Sequence, residues 1–224
     1  MLYFDHSATT PPHPQVIEKM NEISELNYGN PSSLYSSGRK AKAIIENARR
    51  MVAKTIEASP DEIFFTGSGT EANNMVIWSI IYGKKKHIIT SSIEHPAILN
   101  VIEQLEPFGV SCSILQVNSD GQVDPKDLKS AIRHDTGLIS IMLVNNEVGT
   151  IQPIKKLTEI AQKADVPFHS DSVQALGKIP LSVNNIGAQF LSFSGHKFYG
   201  PKGVGFLYRE RKTKLNSLII GGSQ

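Results

Sequence analysis

The 224-residue sequence predicts an α/β protein with three layers, a mostly parallel, seven-stranded sheet with helices on both faces. Three observations lead to this prediction. Short apolar runs alternate with helical patterns, which is typical of crossover connections between parallel strands. The apolar runs hold few polar residues, as expected for strands that helices cover on both sides. The composition, with 40% hydrophobic and 20% charged residues, is that of an ordinary globular protein.

Seven apolar runs have the length of strands and are bounded by polar or turn-forming residues. The strands are expected at 62–66, 87–91, 112–117, 138–144, 167–171, 190–194 and 204–208. Turn-forming stretches such as "GNPSS" at 29–33 and "DGQVDP" at 120–125 separate the predicted elements.

Six segments show helical spacing of apolar residues. In the first, Val16, Met20 and Ile23 share one face. The helices are expected at 14–26, 39–56, 71–82, 96–106, 125–133 and 154–164. The last four lie between predicted strands, which is the order that parallel crossover units require.

Charge and composition exclude several classes of protein. The net charge is +2, and the basic cluster "GKKKH" at 83–87 is interpreted as a solvated turn, so no nucleic-acid partner is expected. The start "MLYFDHSATT" lacks the features of a signal peptide, and no run of about 18 apolar residues could span a membrane. A cytoplasmic protein is therefore expected. The single cysteine, Cys112, is interpreted as a buried strand residue, and no metal site is expected.

Ligands of open α/β sheets bind beyond the carboxyl ends of the strands, so the polar residues there are site candidates. After the first strand, "GSGTEANN" at 67–74 places Gly69 and Thr70 at the start of a helix, where free N–H groups attract anions. We interpret it as a phosphate site. A plain tight turn and a dinucleotide fingerprint remain as alternatives, although no clear acidic residue follows about 20 positions later.

The other strand ends add further candidates. These residues are His95, Asn146, Asp171, Gln174, Ser194, His196 and Lys197. His95 also suits a simple helix cap. Together the strand ends offer a phosphate site, a carboxylate, an amide and a lysine, which is the set that pyridoxal phosphate requires. Lys197 would react with the aldehyde of the cofactor, and Asp171 would face its ring nitrogen.

Two other interpretations of Lys197 are less favoured. Ser194 and Lys197 form an S-x-x-K pattern like that of penicillin-binding enzymes, but the K-T-G motif of that class is absent. Lys197 could also be a surface lysine in a glycine-rich turn. The nearby "HSDSVQ" and "GSGTE" motifs argue against that reading.

Seven motifs between residues 3 and 208 carry a family resemblance. They are "YFDHSATT", "YGNPSS", "FTGSGTEANN", "IEHPAIL", "VNNEVGTIQPI", "HSDSVQALGKIPL" and "SFSGHKFYGPKGVGFLY". In these motifs the chain resembles the N-terminal, large-domain part of cysteine desulfurases, pyridoxal-phosphate enzymes with the class V aminotransferase fold. The resemblance implies an aspartate-aminotransferase-like large domain.

The resemblance also implies roles for the candidate residues. Lys197 would bind the cofactor and act in catalysis, while His95 would stack on the ring and shuttle protons. Asp171 would face the ring nitrogen, and Gln174 the ring hydroxyl. The residues implied at the phosphate are Gly69, Thr70, Ser194 and His196. Asn146 would lie near the cofactor and the substrate carboxylate.

The implied reaction converts L-cysteine to L-alanine, and an enzyme cysteine takes the sulfur as a persulfide. A sulfur-acceptor or scaffold protein for iron–sulfur clusters or thio-cofactors would then receive it. The implied assembly is a homodimer, or a complex with a complementing C-terminal chain. Selenocysteine lyase, an aminotransferase of the same fold and a non-catalytic partner-binding fragment remain as alternatives.

The sequence departs from the family pattern in several places. We expect 1–14 to belong to the small domain and 15–224 to form the large domain, truncated before the small C-terminal domain. The persulfide cysteine loop and the arginine for the substrate carboxylate are not found, so we expect the chain alone to be inactive. Tyr35 stands where the family usually has histidine, and Gln189 stands where it often has aspartate.

Overall fold

A computed structural model describes residues 2–221 of the chain, and its centre is a single seven-stranded sheet. The strands are β1 (Ile63–Thr66), β2 (His87–Ser91), β3 (Ser111–Leu115), β4 (Thr136–Ser140), β5 (Phe168–Asp171), β6 (Phe190–Ser194) and β7 (Gly205–Arg209). Their order is β1-β7-β6-β5-β4-β2-β3. β7 runs antiparallel to β1 and β6, and the other pairs are parallel, which confirms the predicted, mostly parallel sheet.

Six helices match the predicted ones, and a short seventh was not predicted. They are α1 (Pro14–Leu26), α2 (Ser36–Thr55), α3 (Gly69–Trp78), α4 (Pro96–Gln104), α5 (Pro125–Ala131), α6 (Ile154–Lys163) and α7 (Val183–Ile186). α3 begins two residues earlier than predicted because Ser68 caps it and accepts a hydrogen bond from the N–H of Glu71. α7 has only four residues, too few to show a periodic pattern.

The two faces of the sheet pack against different helices. Neighbouring strand residues alternate between two cores, so that Ile88 faces α3 and α4 whereas Ile89 faces α5 and α6. The same alternation separates Phe190 from Leu191. This arrangement confirms the three predicted layers. α1 differs from the other long helices because none of its residues is buried.

The predicted strand 138–144 is too long at its carboxyl end. Beyond Ser140 the chain continues along β5, where the N–H groups of Ile141 and Leu143 donate to the carbonyls of His169 and Asp171. β2 ends at Ser91, and the chain then turns toward α4. Residues 141–143 therefore continue beside β5 but no longer pair with β2. The apolar run reflects burial rather than strand length, since residues 141–143 are all buried.

The prediction that Cys112 is a buried hydrophobe is wrong. Cys112 lies on β3 at the edge of the sheet and is exposed, and Leu115 is the buried residue of that strand. An apolar strand is covered on both faces only when helices flank it. Desolvation of the sulfur by neighbouring atoms still raises the pKa of the thiol to about 11, so it is protonated at neutral pH.

Within residues 2–221, no helix combines the length and the apolar composition that crossing a membrane requires. The same described residues contain no group of three or more histidine, cysteine, aspartate or glutamate side chains placed to hold a metal ion. The predicted domain boundary at residue 224 lies outside the described residues.

Candidate active site

A cavity of about 600 Å³ opens at the carboxyl ends of the parallel strands. All nine predicted site residues line it, namely Gly69, Thr70, His95, Asn146, Asp171, Gln174, Ser194, His196 and Lys197. Asp171 and Ser194 are the last residues of β5 and β6, and His95 immediately precedes α4. The topology therefore brings to one place residues that the sequence spreads over more than half of the chain.

The start of α3 forms one wall of the cavity, beside the end of β6. A side chain at Gly69 would place its Cβ 2.6 Å from Cγ2 of Val173 and 3.3 Å from Cβ of Ser194, so the close approach requires glycine. Thr70 is exposed to the cavity side, while Ser194 is buried. Backbone N–H groups at the positive end of a ten-residue helix favour an anion here.

Beside this wall, one residue from each of three neighbouring strands forms a row across the sheet. Thr66 of β1 pairs with Gly205 of β7, which pairs with Ser194 of β6. A Cβ at Gly205 would lie 2.6 Å from the carbonyl oxygen of Phe193 and 2.8 Å from the carbonyl carbon of Ser68. The glycine therefore allows β7 to fit between the two halves of the predicted phosphate site.

The carboxylate of Asp171 is buried and held by two donors. Its Oδ1 accepts from the N–H of Val173 at 3.0 Å, and its Oδ2 accepts from Nδ2 of Asn73 at 2.7 Å. Burial raises the pKa of Asp171, and these two hydrogen bonds and the charges of His95 and Lys197 oppose that rise. Asn73 was not predicted as a site residue, although it stands within the quoted "GTEANN" motif four positions after Gly69.

Lys197 is half-buried and lines the cavity. Its Nζ donates to the backbone carbonyls of Ser7 and Ala8 at 2.6 and 2.8 Å. Desolvation lowers the pKa of Lys197, whereas the negative charges of Asp171, Asp5 and Glu147 act in the opposite direction. A lysine with a lowered pKa releases its proton more readily and becomes a better nucleophile.

An N-terminal segment, residues 5–10, covers one side of the cavity, and this contribution was not predicted. The hydroxyl of Thr10 donates to the carbonyl of His196 at 2.9 Å and accepts from the N–H of Tyr199 at 2.7 Å. Thr9 Oγ1 lies 3.0 Å from Nδ1 of His196. Desolvation is the main cause that lowers the pKa of His196. The motif "DHSATT" shows polar residues, but contacts this distant in sequence leave no local pattern.

Three further predicted residues have partners within the chain. Gln174 donates to the carbonyl of Ser7 at 2.8 Å and accepts from Lys178. Asn146 donates to the carboxylate of Glu147 at 2.7 Å. His95 caps α4, because its Nδ1 accepts from the N–H of Ala97 at 3.0 Å, so Nε2 is the ring nitrogen that carries a proton. His95 is thus both a helix cap and a residue of the cavity wall.

A second buried carboxyl group, that of Glu94, directly precedes His95 in the chain and was not predicted. Glu94 accepts from the hydroxyl of Ser91 at 2.5 Å and from the N–H of Met142 at 2.9 Å. Burial raises the pKa of Glu94 to about 8, so the group is mostly neutral at pH 7. These hydrogen bonds connect the turn that carries His95 to the segment directly after β4.

The donor set of the cavity fits pyridoxal phosphate. An amine, a buried carboxylate and a helix start next to a serine are the three features that bind its aldehyde, ring nitrogen and phosphate. The nine residues that suggested this cofactor share one cavity of about 600 Å³, a volume in the range of small-molecule sites.

The sheet order and the residues at its carboxyl edge define a domain with the aminotransferase fold. The chain matches the family model "Aminotransferase class-V" over residues 2–224, and it belongs to that family.

Cysteine desulfurases are among its relatives, which confirms the predicted resemblance. The cysteine desulfurase IscS of Dictyoglomus turgidum is 50% identical over the whole chain, and the mitochondrial cysteine desulfurase of Arabidopsis thaliana is 46% identical. The chain spans 57% of the first protein and 51% of the second.

Solved structures give the same result for the fold. A NifS-like protein superposes over the whole chain with a TM-score of 0.97 at 41% identity, and the chain covers 62% of it. SspA, solved in complex with cysteine, gives a TM-score of 0.96 at 40% identity, with 66% of that chain covered.

Proposed function

We propose that the chain is the cofactor-binding part of a pyridoxal-phosphate-dependent cysteine desulfurase, which converts L-cysteine to L-alanine and passes the sulfur to an acceptor thiol. The observation that carries the proposal is the shared cavity of Lys197, Asp171 and the start of α3. The names of the relatives and the cysteine complex of SspA support the choice of substrate. The same names favour a desulfurase over an aminotransferase.

The phosphate of the cofactor would lie at the first turn of α3. Gly69 and Thr70 would offer backbone N–H groups, and the hydroxyl of Ser194 and the ring of His196 would complete the site. The lowered pKa of His196 leaves a neutral ring near pH 7, which can donate a hydrogen bond from the nitrogen that does not contact Thr9. Such contacts position the cofactor without taking part in the reaction.

When bound, pyridoxal phosphate supplies an electron-withdrawing ring that stabilises negative charge on the substrate carbon. Asp171 would hold a proton on the ring nitrogen through a charge-assisted hydrogen bond, and such a bond contributes about 1.5–3 kcal/mol. Gln174 would contact the ring hydroxyl after its amide leaves the carbonyl of Ser7. These contacts keep the ring in its electron-withdrawing form.

Lys197 would bind the cofactor aldehyde and then move protons at its Nζ. Its Nζ donates to the carbonyls of Ser7 and Ala8, so it must leave these carbonyls before it reacts as the neutral amine. His95 would contact the cofactor ring, and its Nε2 would exchange a proton with the substrate. Asn146 would bind the substrate carboxylate once its amide leaves Glu147.

The sulfur acceptor would come from outside the described cavity. Cys112 is the one cysteine in the sequence, and it lies on β3 rather than among the cavity residues. We propose that a cysteine in a segment matching the rest of the relatives, or in a partner protein, takes the sulfur as a persulfide. The corresponding assembly is a cytoplasmic homodimer that supplies sulfur for iron–sulfur cluster or thio-cofactor synthesis. In it, residues 1–14 would associate with a small domain, and residues 15–224 would form the large domain.

A fusion of the 224 residues to the remaining segment of the Dictyoglomus relative would test this function. We expect stoichiometric sulfide and L-alanine from L-cysteine in the presence of pyridoxal phosphate and a thiol reductant. A preference for L-selenocysteine, or transfer of the amino group to a 2-oxo acid, would instead identify one of the alternative activities. The Lys197→Ala fusion serves as the matched inactive control.

A further inference from the structure

Asn73 forms a buried link between α3 and the end of β5. The residue is 1% exposed, and its Nδ2 lies 2.7 Å from Oδ2 of Asp171. The two residues are 98 positions apart in the sequence. The contact is buried, so water does not compete for this hydrogen bond.

The orientation of the Asn73 amide is set by the carboxylate. Its Oδ1 is buried and has no hydrogen-bond partner among residues 2–221. Rotating the amide by half a turn would bring Oδ1 against Oδ2 of Asp171, and two acceptors repel each other. A buried acceptor without a partner is unfavourable. The position is therefore better explained by the bond to Asp171 than by packing.

The two donors to Asp171 have different origins. The N–H of Val173 comes from the loop directly after β5, whereas Asn73 comes from α3. Asn73 stands one helical turn after Gly69 and Thr70, which begin α3 at the predicted phosphate site. A single rigid helix thus contacts both the phosphate site and the carboxylate.

We propose that Asn73 is a positioning residue that fixes the carboxylate of Asp171 relative to the first turn of α3, and so matches it to a cofactor whose phosphate is held at that turn. This inference rests on the proposed function. Asn73 would not touch reacting atoms. It would act through Asp171 by orienting the carboxylate and by stabilising its ionised form.

A first experiment measures the carboxylate without any cofactor. The pKa of Asp171 is followed by carbon-13 NMR in the unmodified chain, in Asn73→Leu and in Asn74→Leu. Leucine has as many side-chain heavy atoms as asparagine and branches at the same carbon, and the Asn74 amide donates to the carbonyl of Thr70 rather than to Asp171. The charged or titratable groups that act on Asp171, namely His95, Lys197 and Glu94, are the same in all three proteins.

We expect Asn73→Leu to raise the pKa of Asp171, because the charged form loses a hydrogen bond, and Asn74→Leu to leave it unchanged. An unchanged pKa in Asn73→Leu would overturn the proposal. Asn73→Ala replaces Asn73→Leu if the latter does not fold. Unfolding of both variants would show that Asn73 serves stability and would also overturn it.

A second experiment asks whether Asn73 acts through Asp171. Dissociation constants for pyridoxal phosphate are measured by fluorescence in a double-mutant cycle of Asn73→Leu and Asp171→Asn. We expect Asn73→Leu to weaken binding about tenfold when Asp171 is present and less than about twofold in the Asp171→Asn background. Equal losses in both backgrounds would contradict the proposal. Failure of the unmodified chain to bind the cofactor would instead contradict the proposed function, and the NMR measurement would still decide the role of Asn73.

Discussion

The Nζ of Lys197 lies 2.6 Å from the carbonyl oxygen of Ser7, a residue 190 positions earlier in the chain. The same carbonyl accepts from the side-chain amide of Gln174. The segment at residues 5–10 is therefore part of the candidate site, and it contacts the lysine that we propose as the cofactor-binding residue.

The cofactor should attach to Lys197. We expect borohydride reduction of the chain with pyridoxal phosphate, followed by peptide mass mapping, to place the adduct on Lys197, because its pKa is lowered and it lines the same cavity as Asp171. Lys178 and Lys202 are internal controls. An adduct on either of them, with Lys197 unmodified, would contradict the assignment.

Replacing Asp171 by asparagine should slow the reaction of the fusion protein by about tenfold or more, since the charge-assisted hydrogen bond that we propose to the ring nitrogen would be lost. The measurement is the turnover number for L-alanine release at saturating L-cysteine. Asp165→Asn is the matched control, because Asp165 is exposed and has the left-handed backbone that asparagine tolerates. Equal turnover in the two variants would rule out the role of Asp171.

Thr10→Val should destabilise the chain by about 1–3 kcal/mol, because the N–H of Tyr199 loses its acceptor while the side-chain volume is kept. Urea unfolding measures the change. Thr55→Val is the control, since Thr55 is an exposed residue at the end of α2, and its effect should stay within about 0.5 kcal/mol. Equal effects would show that the Thr10 contact does not hold the segment at residues 5–10 in place.

His169 should make stability depend on pH. It is buried between Ser140 and Ser192, and desolvation lowers its pKa from the usual 6.5 to about 3. Between these values only the unfolded chain binds the proton, so this residue lowers the free energy of unfolding as pH falls, by about 1.4 kcal/mol per pH unit.

The comparison with His169→Gln isolates this effect. Glu94, with its pKa raised to about 8, contributes in the opposite direction as pH falls from 8 to 4.5, but it does so in both proteins. We expect the free energy of unfolding, measured in urea between pH 6.5 and 4.5, to fall less steeply in the variant. Parallel curves would contradict a neutral buried His169.

The 224 residues alone should release no more sulfide from L-cysteine than free pyridoxal phosphate does. The thiol of Cys112 is outside the cavity and its pKa is about 11, so it is a poor and distant nucleophile. We expect Cys112→Ser to leave the activity of the fusion protein unchanged. Robust desulfuration by the 224 residues, abolished by Cys112→Ser, would identify Cys112 as the sulfur acceptor.

The seven strands could be predicted because helices cover most of the sheet, so most of its strands are rich in apolar residues. The nine site residues could be proposed because they follow strands whose carboxyl ends meet at one edge. The exposure of Cys112 depends on the position of β3 in the sheet order, which local sequence does not encode. Asn73 and Ser7 were missed for a related reason, since their partners Asp171 and Lys197 are distant in sequence.

The position of β7 between β1 and β6 has a consequence for synthesis on the ribosome. The turn after β1 and the end of β6 are joined through the row Thr66, Gly205 and Ser194, and Gly205 is the last of these to be made. In a nascent chain, the helix start that we propose for the cofactor phosphate is therefore made long before β7, the strand that joins it to Ser194. The candidate site is therefore completed late in translation. A chain stalled before residue 205 leaves β1 without its partner strand, so the exposed edge of β1 can pair with a wrong strand.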